Sequence, residues 1–193
     1  MTLLNGTGLA AWVLFYLIYF VKNALLRRSG IRANRIGKGE KPRAAARVER
    51  LLGPVTLTLG VLQPLSLWPG LLQPLSLPDA ARWAGILLAL VGDGVFLLSV
   101  YRMGASWRAG VDATQRTALV TDGIYAHSRN PAFLGFDLLY LGLALAAPNP
   151  PHLLLAALGV LTLHLQILQE EAYLSAAYGD AYQSYRRRVR RYF

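Results

Sequence analysis

Apolar and polar residues alternate along this chain in long blocks. Runs with few or no charges cover 2–21, 51–77, 83–101, 131–147 and 152–169, with polar or basic segments between them. Each run approaches the roughly 20 residues that carry a helix across a bilayer, so the pattern predicts five transmembrane helices. The second run holds Pro54, Pro64, Pro69 and Pro74 and repeats LQPLSL at 62–67 and 72–77. Proline at that density breaks a straight helix, which predicts one span ending near Trp68 and a connection after it. In the fifth run only the tolerated Gly159 interrupts the helical pattern before Gly179, so a rigid extension should carry Glu170 and Glu171 beyond the membrane. A last short helix has Tyr182, Tyr185, Val189 and Tyr192 on one side and arginines around the rest, the pattern of an interfacial anchor. The expected fold class is all-α: a polytopic membrane protein of about five transmembrane helices with a cytoplasmic interfacial C-terminal helix.

Composition agrees, since 54% hydrophobic and 16% charged residues do not suit an ordinary soluble domain. The twenty basic residues set the orientation. Ten lie between the first and second runs, four between the third and fourth, and five at the C-terminus, which leaves Arg82 alone for the other side. The positive-inside rule then predicts a multi-pass protein of the cell (inner) membrane, N-terminus outside, with the C-terminus and any site near residue 129 cytoplasmic. The net charge of +10 reads as topology and attraction to anionic membrane lipids rather than nucleic-acid binding. The basic stretch RRSGIRANRIGKGEKPRAAARVER reads as a topological, lipid-facing linker; a headgroup helix from about Arg43 is the other form it could take. The first run has no basic residues before it and no small-residue cleavage site, so it reads as a helix and not a signal peptide. Cysteine is absent, which excludes disulfides, thiol nucleophiles and Cys-ligated metals.

Several polar positions break the block pattern. Asp93 sits inside the third run, either a functional carboxylate or a buried polar partner, and Gly92 and Gly94 beside it read as close helix packing. The stretch 101–131 interleaves Trp107, Arg108, Asp112, Tyr125 and Arg129, is too apolar for a free loop, and should lie at the interface and fold over the mouths of the helices. Two segments at the edges of apolar runs matter most: LVTDGIYAHSRNPAFLG at 119–135 and QILQEEAYL at 166–174. Helical spacing puts His164 and Glu171 on one face of the fifth helix and Gln166, Glu170 and Tyr173 on the neighbouring face. The chain divides accordingly into N-terminal helices with a basic linker (1–118) and a core that carries the candidate site (119–193).

Arg129, Asn130, a Gly123-x-Tyr125 turn and two glutamates can bind a small zwitterionic or cationic ligand. The guanidinium takes a carboxylate bidentately, the glutamates take ammonium groups or ribose hydroxyls, and aromatic rings face a cation. S-adenosylmethionine (SAM) fits that inventory. Taken singly, each residue has a plainer role: Arg129 as a snorkelling cation, the glutamates as a solvated helix end, and Asn130-Pro131 as a helix start.

Taken together, the motifs have an order. Gly123-x-Tyr125, Arg129-x-Pro131, Gly135, Glu170-Glu171-x-x-Leu174, Tyr178-Gly179-x-x-Tyr182 and Tyr185-x-x-x-Val189-x-Arg191 resemble the isoprenylcysteine carboxyl methyltransferase and phospholipid N-methyltransferase superfamily of integral membrane enzymes. The resemblance runs from about residue 119 to the C-terminus. It implies SAM bound on the cytoplasmic side, between the Arg-x-Pro segment and the Glu-Glu helix end, and a lipid or small hydrophobic acceptor arriving from the bilayer. It makes Arg129, Asn130 and Glu171 the expected catalytic residues, with Gly123, Tyr125, Arg129, Asn130, Pro131, Gly135, His164, Gln166, Glu170 and Glu171 about the cofactor. Within that set, Arg129 and Glu170 would anchor the methionine and ribose parts of SAM. One departure stands out: the usual Arg-His-Pro is Arg129-Asn130-Pro131 here, and asparagine cannot titrate. His127 or His164 could substitute as a base, though each also reads as structural. A metal site is not expected, because His152 falls on the outer side, away from His127 and His164. A non-enzymatic transporter subunit or scaffold would explain the spans, Asp93 and the arginines, but not the 122–131 segment or the paired glutamates.

Overall fold

A computed structural model describes residues 1–110 and 117–193; Asp112 and Arg116 lie outside the described residues. The helices are α1 (Leu3–Arg28), α2 (Arg43–Leu67), α3 (Asp79–Met103), α4 (Pro131–Ala146), α5 (Pro150–Tyr178) and α6 (Asp180–Arg188). The protein is all-helical and an integral membrane protein. The helices of 3–28, 79–106 and 150–178 are long and apolar enough to cross a membrane, whereas α4, with 16 residues, is shorter. Their outward faces carry apolar side chains: Val13, Leu17 and Phe20 on α1, Leu87 and Leu98 on α3, Leu154 and Leu161 on α5 are all exposed. That is the surface a hydrocarbon solvent selects.

Local chemistry sets the ends of these helices. Thr2 caps α1 by accepting from the Asn5 amide at 3.2 Å. Asn149 caps α5 by accepting from His152 N at 3.0 Å, and Pro131 and Pro150 stand at helix starts, where a missing N–H is harmless. As expected from its prolines, α2 ends at Leu67, and the second LQPLSL copy is a non-helical connection pinned by Leu75 N to Pro148 O at 2.6 Å.

α4 packs along α3 and α5 along α2. The α3–α4 pair is antiparallel and nearly touches backbone to backbone. A Cβ on Gly85 would lie 2.5 Å from Gly142 O, and one on Gly92 would lie 2.8 Å from Gly135 O. Where lipid supplies no hydrophobic drive between helices, such small-residue contact is what holds them. Gly92 therefore does what its sequence suggests. Gly94 does not, because its open side has no neighbour within 4 Å. Asp93 is buried on α3, and its carboxylate has no hydrogen-bond partner among the described residues. At the heart of the bundle, Phe15 stacks on Phe96 with ring centres 4.5 Å apart, and Phe136 meets both edge-on.

Two basic segments hold more structure than their charge suggests. From Arg43 onward the linker is helical, as one of its two expected forms has it, and makes the first turns of α2, where Glu49 is buried. Upstream of it, residues 33–36 pair with the stretch at 109 as a short parallel bridge, with Arg35 N to Ala109 O at 2.7 Å and Ala109 N to Ala33 O at 2.9 Å. α6 is more than an anchor, since Tyr182 and Tyr185 are buried against the rest of the protein while Arg186, Arg187 and Arg188 face out.

Candidate functional site

The site forms at the basic end of the bundle, where the start of α4, the end of α5 and the C-terminal tail converge. Gly123–Ala126 make a 3₁₀ turn tied to the end of α3 by an exposed ion pair between Arg102 and Asp122. Tyr185 donates to Tyr125 O at 2.6 Å, which fastens α6 to that turn. The backbone of Arg129 donates to Arg190 O at 2.9 Å, and Ser128 Oγ to Arg191 O at 3.3 Å, so the last residues of the chain lie along the Arg-Asn-Pro segment. Burial raises the pKa of both Tyr125 and Tyr185, each also through a neighbouring tyrosine, which keeps these phenols protonated as donors.

Glu171 is the hub of this junction. Its Oε1 accepts from Arg129 Nη2 at 2.8 Å, from Arg129 Nε at 3.2 Å and from Asn130 Nδ2 at 3.0 Å, and its Oε2 accepts from Arg191 Nη2 at 2.9 Å. The remaining Arg129 nitrogen, Nη1, donates to the carbonyls of Val189 and Arg186. This occupancy changes the part Arg129 can take: its fork is filled by Glu171 and the tail. Asn130 likewise donates to Arg191 O at 3.2 Å and closes the network without a titratable group. The neighbouring position on the Glu171 face is His164, whose Nδ1 meets Tyr192 Oη at 2.6 Å with the rings stacked, so this face of α5 binds the tail along its length.

Glu170 faces the other way. It accepts from Gln166 Nε2 at 3.2 Å and stands where two cavities meet. One, of about 230 Å³, is apolar, with Tyr16, Tyr19, Phe96, Phe136 and Leu163 among its walls. The other, of about 140 Å³, is bordered by Tyr125, Arg129, Asn130, Tyr173, Tyr178 and Tyr185. Trp107, Arg108, Gly110, Ala132, Phe133 and Glu170 belong to both.

Of the residues expected about the cofactor, Tyr125, Arg129, Asn130, Gln166 and Glu170 line one cavity or the other. Gly123, Pro131, Gly135, His164 and Glu171 line neither. Gly135 sits against α3, where a Cβ would lie 2.8 Å from that of Phe96; Pro131 starts α4, and Gly123 occupies the turn beside Arg102. His127, the other substitute base, is exposed and lines neither cavity. Sequence reasoning missed Glu49 and Lys41, a buried ion pair behind Gly110. The available signal was that Glu49 is one of two acids, with Glu40, among the ten basic residues of the linker.

These features define a helical integral membrane protein with two adjoining cavities, one of them bordered by the polar junction at one end of the bundle. The comparison with known families is specific: residues 80–181, just over half of the chain, match the phospholipid methyltransferase family, and the chain belongs to it. It is also similar to the protein-S-isoprenylcysteine O-methyltransferase of Schizosaccharomyces pombe, 43% identical over 72 residues, which are 37% of this chain and 30% of the yeast protein.

Proposed function

We propose that this protein transfers the methyl group of SAM to a lipid or small hydrophobic acceptor at the cytoplasmic face of the membrane, with the N-terminus on the opposite side. The observation that carries the reading is the pair of cavities, one apolar and one bordered by polar and aromatic groups, that share a wall at Glu170, Trp107 and Phe133. Methyl transfer needs such a division, because a polar cofactor and an apolar acceptor must meet with water excluded.

The residues present suit SAM in the smaller cavity. Glu170 offers a carboxylate to ribose hydroxyls or an ammonium group, and the rings of Tyr125, Tyr173 and Tyr178 suit a cation. When bound, SAM supplies an electrophilic methyl on a sulfonium, which leaves as the thioether when the acceptor attacks. Arg129 and Asn130 hold the wall of this cavity through Glu171 rather than offering a free fork to a ligand. Trp107 and Phe133 lie between the cavities and exclude water from the transfer path. Asn130 cannot remove a proton, which favours an acceptor that is already ionised, such as a carboxylate, over a protonated amine.

The test is methyl transfer by the purified, detergent-solubilised protein from labelled SAM to N-acetyl-S-farnesylcysteine and to phosphatidylethanolamine in mixed micelles. Label in either acceptor, lost on Glu170→Ala, is the expected result. A monodisperse sample that neither binds SAM nor labels any acceptor would favour the transporter or scaffold reading.

A further inference from the structure

The apolar cavity is closed in part by a segment outside the family match, which begins at residue 80. Ile36 lines that cavity, and the bridge from 33–36 to Ala109 holds it there. Gly110 follows the bridge with φ of +93°, in the left-handed region, and leaves no room for a side chain: a Cβ would sit 2.9 Å from Ile36 N and 3.1 Å from Glu49 Oε1. Beneath this contact lies a buried charged latch. Glu49, on α2, accepts from the Gly37 amide at 2.6 Å and from Lys41 Nζ, and Lys41 also donates to Arg35 O at 2.9 Å. The two side chains are 5% and 0% exposed. A buried ion pair adds little net stability, but it penalises any geometry that separates it. Here that geometry is one position of the 30–41 segment over the cavity.

The names of the relatives supply the second observation. The matching family is described by phospholipids, and the yeast protein by isoprenylcysteine. Two acceptor chemistries therefore occur among the proteins this chain resembles, and the segment before residue 80, outside the family match, is where a feature particular to its own acceptor is sought.

We propose that the 30–41 segment is the roof of the acceptor cavity, held in place by the Lys41–Glu49 pair, and that these two are positioning residues that set which acceptor fits. The inference rests on assigning the apolar cavity to the acceptor. It makes Ile36 the contact that the acceptor meets, and it separates acceptor selection from cofactor binding.

The full-length protein is tested as Glu49→Gln and, separately, as Lys41→Met, which leaves the carboxylate bonded to Gly37 and carries the test should the first variant fold poorly. Hydrogen exchange at the Arg35 and Ala109 amides reads the roof without turnover; calorimetry reads SAM affinity; KM for N-acetyl-S-farnesylcysteine and for phosphatidylethanolamine reads the acceptor. Expected are about tenfold faster exchange, about tenfold higher acceptor KM and a SAM Kd within about twofold of wild type. Unchanged exchange, or an acceptor KM and SAM Kd that shift together, overturns the proposal. If the wild-type protein methylates neither acceptor, the functional reading falls, and the exchange result alone decides the roof.

Discussion

Glu170 and Glu171 are adjacent on α5, yet the roughly 100° turn between them gives them opposite tasks. Glu171 faces the tail, and its acceptor capacity is filled by Arg129, Asn130 and Arg191. Glu170 faces the meeting point of two cavities and has Gln166 as its neighbour on the same face. Adjacent glutamates on one helix thus meet different surroundings, one a filled network of ion pairs and the other the shared edge of two cavities.

Removal of Glu171 should have the largest effect. Glu171→Ala strands the buried Arg129 guanidinium and leaves Arg191 and Asn130 without their shared acceptor, a loss of about 3–5 kcal/mol for breaking such a network. Thermal unfolding in detergent should register it as a large fall in midpoint or as loss of the monodisperse species. Glu170→Ala should behave differently: an unfolding midpoint near wild type, but SAM affinity weakened about tenfold or more, as expected for losing a hydrogen bond to a charged group. If the two variants swapped phenotypes, the division of labour between them would be wrong.

Tyr185→Phe probes the strap on the Glu171 side and should cost about 1 kcal/mol, the value of one buried hydrogen bond. It also carries a pH signature. The folded-state pKa values of Tyr185 and Tyr125 are raised by burial, so their contribution to stability is complete below the ordinary phenol value of about 10 and is lost as pH rises through the folded-state values. The unfolding midpoint should be flat with respect to these groups at neutral pH and fall above about pH 10, less steeply in Tyr185→Phe. Smallest of all should be Asp122→Asn. Its pair with Arg102 is solvent-exposed, so a change below about 0.5 kcal/mol is expected, and a larger one would mean that the 3₁₀ turn bears on the site more than its geometry suggests.

Much of this architecture was legible in the sequence because a membrane imposes long-period constraints that single residues cannot hide. Apolar run length gave the helices, and the prolines after Trp68 gave the break in the second run. Helical phase separated the His164–Glu171 face from the Gln166–Glu170 face, and the two faces differ in the structure as that phase requires. Partner choice was not legible. That Arg129 and the returning tail would meet on one carboxylate, Glu171, is a long-range contact that spacing along the chain does not give. The Lys41–Glu49 pair was not legible either, because ten positive charges in one linker hide which of them a single buried acid, Glu49, will hold. Gly135 and Gly123 carried motif signals whose physical content is helix contact and a turn, and spacing alone does not tell those from ligand contact.

Cofactor binding is tested most directly by calorimetry of SAM and of S-adenosylhomocysteine with the purified wild-type protein, with Glu170→Ala beside it. Saturable binding of both by the wild type is expected, weakened about tenfold or more by the substitution at an unaltered unfolding midpoint. Absence of binding by a folded, monodisperse wild-type sample, or equal affinity in Glu170→Ala, would contradict it.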